Sequence, residues 1–122
     1  MWCHSGSRKD QKKIDQVAKI DRYLFDQFAL FLDRMKQVKE GDSNLLDNSM
    51  ILHGSAISDV MRQAHHDLPV LVAGNGAGTV KSGRVMEFEK ETPLNNLFLG
   101  MGDCMGAEIK ELGDSNGRIR LS

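Results

Sequence analysis

Asp59, His65, His66 and Asp67 are the residues of this chain whose types and spacing suit metal chemistry. They fall between two apolar runs, 49–57 and 68–73, within the stretch 49–78 around which the rest of the chain is organised. A divalent cation needs neutral imidazole nitrogens and ionised carboxylates converging from different backbone segments. Asp59 at one strand end and His65 or His66 at the next strand start meet that requirement if the two strands lie side by side. Adjacent histidines on a strand point to opposite faces, so one of the pair faces the site. Asp67 can orient a ligating imidazole from behind. The expected metal is zinc or manganese, held by Asp59 and by His65 or His66. The same residues also suit a polar loop at a sheet edge, where Asp and His serve solubility alone.

Other reactive residues carry less. His53 lies inside the first apolar run and reads as a packed core or edge histidine. Ser55 and Ser58 sit in no Gly-x-Ser-x-Gly elbow, and His4 stands alone near the N-terminus. The loop 74–78, Gly-Asn-Gly-Ala-Gly, resembles a phosphate cradle, but a dinucleotide fingerprint requires a helix next. Thr79 to Arg84 read instead as strand and turn, so a mobile loop is expected. Cys3 and Cys104 have neither Cys-x-x-Cys nor zinc spacing, and two unpaired thiols are expected rather than a disulfide.

The elements that must position these residues follow from periodicity. From Asp10, an N-cap type, to Lys39 the apolar residues Ile14, Val17, Leu24, Phe28, Phe31, Met35 and Val38 recur at helical spacing. Ile20, Phe25 and Leu32 widen that stripe, so the long helix should lie on something. Asp21 in the seam and the breadth of the stripe argue against a coiled coil. Residues 41–44, Gly-Asp-Ser-Asn, end the helix. Runs 49–58 and 68–73, bounded by turn residues, read as buried strands. The connection between them, about nine residues, is shorter than a parallel crossover needs, which favours antiparallel pairing. Residues 84–89 read as a further short strand. Thr92-Pro93 starts a second helix, with Thr92 as cap and Pro93 at the first helical position. Leu94, Leu97, Phe98, Met101 and Met105 share its face, and Gly106 ends it.

At 122 residues the chain is at most one domain. Apolar content of 40% and charged content of 27% are those of an ordinary globular protein. A net charge of −1 gives no preference for nucleic acid. The N-terminal segment lacks the apolar core of a signal peptide, and no apolar stretch is long enough to span a membrane. Read literally, the chain is soluble and not exported.

Residues 46–52 (Leu-Asp-Asn-Ser-Met-Ile-Leu), Ser58-Asp59, 65–74 (His-His-Asp-Leu-Pro-Val-Leu-Val-Ala-Gly), 92–97 (Thr-Pro-Leu-Asn-Asn-Leu) and Gly113-Asp114-Ser115 together resemble a bacterial family of unknown function, the HXXSHH family. The resemblance runs from about His4 onward and covers the C-terminal part of that family's domain. Family members are generally exported and longer. Two departures stand out: Val60-Met61 where the family has Gly-Asn, and Ala64 where it has Ser before the paired histidines. More distantly, the order strand, Ser-Asp, loop, His, Pro, strand is similar to the alkaline phosphatase and sulfatase superfamily. There an Asp after one strand and a His before the next bind the catalytic metals, which points to Asp59 and to His65 or His66.

The expected fold is α/β: a long N-terminal helix, a small mixed sheet and a C-terminal helix, as a fragment of a larger alkaline-phosphatase-like domain. Residues 1–9 are expected to be loose and 10–122 to form one partial domain. The expected function is the metal-binding part of a phosphate- or sulfate-ester hydrolase-like domain, inactive as the isolated chain. Its partner would be the N-terminal half of that domain. The alternatives are a non-catalytic interaction module or a truncated product without activity of its own.

Overall fold

The computed structural model describes residues 11–54 and 69–122. Helix α1, Gln11–Gln37, fulfils the long helical periodicity. It closes before residues 41–44, which instead form the turn and second strand of a hairpin between β1, Lys39–Glu40, and β2, Ser43–Asn44. The side chains around that turn bond locally: Asn44 Nδ2 to Asp47 at 2.8 Å, and Asn48 Nδ2 to Glu40 at 2.8 Å.

The first apolar run yields β3, Ile51–Gly54, and the second β4, Val70–Ala73. They pair antiparallel, as expected, with Leu52 opposite Val72 and Gly54 opposite Val70. The stretch to which the nine-residue connection belongs, 55–68, lies outside the described residues. The expected mixed sheet is, among the described residues, two separate antiparallel pairs.

The pleat divides the work of β3 and β4. Leu52, Val70 and Val72 pack on the core of Val80, Leu97, Ile119 and Leu121. His53 is offset by one residue and faces α1, where its ring meets Phe28 at 4.4 Å and Phe25 at 4.9 Å between centroids. The helix therefore does lie on the sheet, but lightly. No α1 residue is fully buried, and Phe31, expected within the packed stripe, is 48% exposed.

After β4 the chain turns through α2, a single 3-10 turn at Gly76–Gly78. The second long helix, α3, covers Leu94–Cys104. Pro93 rather than Thr92 occupies its cap position, because the Thr92 hydroxyl donates back to the Glu89 carbonyl at 2.8 Å. Gly106 ends the helix as expected: its N–H reaches the Asp103 carbonyl and the Ala107 N–H the Gly102 carbonyl, the paired bonds of a Schellman cap. Residues 84–89 form no strand, nor do 79–84. A strand needs a neighbour to pair with, and none of the described elements lies alongside.

The C-terminal segment is fixed to α3 by Asn96, which is 5% exposed. Its carbonyl accepts from the Ile119 N–H, and its Oδ1 accepts from the N–H groups of Asn116 and Gly117. Its Nδ2 donates to Asn116 Oδ1 at 2.8 Å. Gly100 lies so close to the Ile119 carbonyl that any Cβ there would overlap it.

Candidate functional site

The edge at which β3 ends and β4 begins is where the expected metal site would be organised. Gly54 and Val70 are register partners on the last described rung of the ladder, so the chain leaves and re-enters the sheet at one place. Asp59, His65 and His66 lie in the connection between them, as do Ser55, Ser58 and Asp67. All of these fall outside the described residues, as do Cys3 and His4. The structure therefore places the two strand ends together without placing the candidate ligands themselves.

The chemistry-bearing groups that are described are engaged structurally. His53 is half-buried against Phe25 and Phe28, the packed histidine expected from its place in an apolar run. In the glycine loop the Gly76, Ala77 and Gly78 amides are all bonded within the fold. The Gly76 N–H bonds the Ser49 carbonyl at 2.9 Å and the Ala77 N–H the Asp47 carbonyl at 2.8 Å. The N–H groups of Gly78, Thr79 and Val80 close onto Asn75 and Gly76. A phosphate cradle requires those same amides to face a ligand, so this loop is no anion site. Gly74, at φ +98°, is held between the carbonyls of Ser49 and Leu46, with no room for a Cβ.

Two carboxylates of the C-terminal half are likewise partnered within the fold. Asp103 pairs with Arg118 at 2.6 Å, and the same guanidinium donates to the carbonyls of Ile109 and Lys110. Asp114 accepts from Asn95 Nδ2 at 2.7 Å. Cys104 is a free thiol, half-buried, with its Sγ 3.7 Å from the Thr79 carbonyl. Among the described residues no group of three or more His, Cys, Asp or Glu side chains is arranged to hold a metal ion.

No family model, curated protein or solved structure matches the chain. The site is therefore read from its own geometry. Several residues behind the HXXSHH resemblance have structural work in the fold: Gly74 under the turn, Asp47 beneath the glycine loop, and Asn95, Asn96 and Asp114 at the C-terminal clamp.

Sequence reasoning missed a groove of about 1070 Å³ beside β4. Val70 and Val72, with Val80, Leu97, Ile119 and Leu121, line its apolar side, and the segment 81–91 walls the other. The signal was available in 84–89, a strand-like stretch without a partner. No helix among the described residues is long and apolar enough to cross a membrane.

Proposed function

We propose that the chain is the metal-binding part of a phosphate- or sulfate-ester hydrolase-like domain of the HXXSHH type. Asp59 and His65 or His66 would be its ligands to zinc or manganese. The observation that supports this reading is the Gly54–Val70 rung. A connection that begins and ends at one sheet position keeps Asp59, near its start, and the paired histidines, near its end, close to a common anchor. A divalent ion in such a site supplies polarisation of the ester oxygens. The chain's own contribution would be to hold that ion. The described histidine, His53, packs half-buried against Phe25 and Phe28. Hydrolysis also needs an activated nucleophile, so the purified chain is expected to turn over neither aryl phosphate nor aryl sulfate.

The test is thermal unfolding with zinc or manganese. Binding to the folded state raises the melting temperature by mass action, about 2.7 kcal/mol of stabilisation at a metal concentration of 100 Kd. Asp59→Ala should remove that rise. Equal shifts in wild type and variant, or none in either, would reject the metal site.

A second reading, a non-catalytic packing module, is favoured by the outer side of α1. There Ile20, Leu24 and Phe31 are all exposed to about half their area. On this reading α1 covers another part of a larger domain, such as the N-terminal half implied by the resemblance. Metal-independent stability together with an unchanged Asp59→Ala variant would favour it.

A further inference from the structure

The segment between β4 and α3 carries an inference independent of the metal site. Residues 81–91 are all exposed, Val85 at 91% and Phe88 at 50%. Within them 84–89 hold no helix, turn or bend. Among the described residues, the N–H and carbonyl groups of 84–88 bond to no other main chain. Both ends of the segment are tied down. The Lys81 N–H donates to the Leu121 carbonyl, and the Arg84 guanidinium to the carbonyls of Arg120 and Leu121. At the far end the Thr92 N–H and hydroxyl both reach the Glu89 carbonyl.

An endopeptidase binds its substrate as an extended strand, bonds the main chain and reads side chains in pockets. Main chain that is already bonded in a helix has to open first. That separates Phe88 from Phe25 and Phe31, which are 54% and 48% exposed but lie in α1. The same requirement narrows the choice within the segment. Arg84 suits no pocket for basic residues, since entering one breaks its bonds to the carbonyls of Arg120 and Leu121. Lys90 stands in a turn beside Glu91, whose φ of +66° is left-handed rather than extended. Gly83, at φ +75°, interrupts the run just ahead of Arg84 and Val85. Phe88 has a straight run before it, 84–87, and its side chain is apolar. We propose that the Phe88–Glu89 bond is a processing site for an endopeptidase with an apolar primary pocket. Water adds across that amide and leaves the Phe88 carboxylate and the Glu89 ammonium. The two pieces, 1–88 and 89–122, stay together. The core joins Val80 of the first to Leu97, Ile119 and Leu121 of the second, and the Lys81 and Arg84 bonds cross the cut.

Limited digestion of the full chain with chymotrypsin, followed by mass spectrometry, tests the proposal. Cleavage after Phe88 should outpace cleavage after Phe25 or Phe31 about tenfold or more, because α1 must open and 84–89 need not. Trypsin at matched activity should leave the Arg84–Val85 bond intact over the same period. The nicked pieces should elute together at the size of the intact chain on native size exclusion, and separate in urea. Glu89→Pro should prolong the life of the intact chain about tenfold or more, since it blocks the cut at a main-chain N–H that has no described partner. The proposal is overturned if Phe25 or Phe31 is cut as fast as Phe88, or if trypsin cuts readily after Arg84. It is also overturned if Glu89→Pro is digested as fast as wild type, or if the two pieces part without denaturant.

Discussion

Asn96 shows how much one polar side chain can do when it is buried. A side-chain amide offers two donors and an acceptor with two lone pairs, and here the acceptor takes both the Asn116 and Gly117 N–H groups. Replacing it with Leu keeps the volume but leaves those amides without a partner. An unsatisfied buried group costs about 1–3 kcal/mol, but Asn116 and Gly117 are exposed and water recovers part of that, so Asn96→Leu should lose about 1–2 kcal/mol in urea unfolding. Gly100→Ala tests the neighbouring contact through sterics alone. Its Cβ would meet backbone rather than a flexible side chain, and the helix and the C-terminal segment must part. A loss of about 1–3 kcal/mol is expected, and a neutral result would mean that the close approach is not maintained in solution. Asn95-Asn96 was not legible as a clamp in the sequence. Two asparagines in a helical run look like solvent-facing polar positions until the partners, twenty residues on, are known.

At the scale of elements, α1 and α3 were legible from helical periodicity, and β3 and β4 as apolar runs bounded by turn residues. The stripe of α1 identified a helix, yet overstated its burial. Spacing shows which residues share a face but not how much partner surface awaits them. The comparison of two phenylalanines makes this measurable. A fully buried Phe→Ala change costs about 3–5 kcal/mol. Phe28 is only half-buried, on His53, so Phe28→Ala should cost about half of that, whereas exposed Phe31→Ala should stay within about 0.5 kcal/mol. Equal losses from the two would show that the outer side of α1 is covered in solution. The reading of 84–89 as a strand failed for a different reason. Its residue types suit a pleated surface, but strand formation depends on a second chain segment that local sequence does not specify.

At the scale of the molecule, stability concentrates on one side of the β3–β4 sheet. Val80, Leu97, Ile119 and Leu121 draw together segments that are far apart in sequence, and the Lys81 N–H and Arg84 side chain both bond carbonyls near residue 121. Deleting residues 118–122 removes two core side chains, the Arg118–Asp103 pair and those carbonyl acceptors together. Such a variant should lose its cooperative unfolding transition by circular dichroism while α1 retains helical signal. Retention of a sharp transition would place the core elsewhere. The candidate metal site was only partly legible at this scale. The two strands followed from the apolar runs and their antiparallel pairing from the short connection expected between them, but convergence of Asp59 with a histidine depends on the path between those ends.

The Asn116-Gly117 step has a bearing on how the protein ages. An asparagine followed by glycine is prone to lose its amide when the glycine nitrogen attacks the side-chain carbon and closes a succinimide ring. Here that nitrogen donates to Asn96 Oδ1 at 3.2 Å, and the Asn116 amide oxygen is held by Asn96 Nδ2. Nucleophile and target are both restrained while the clamp is closed. Ring closure should therefore proceed mainly from molecules that have opened. Its product inserts a carboxylate, or an extra backbone carbon, where the clamp must re-form. Each excursion into the unfolded state then risks a chemical change that blocks the return, and the acidic species that accumulates on storage would count those excursions.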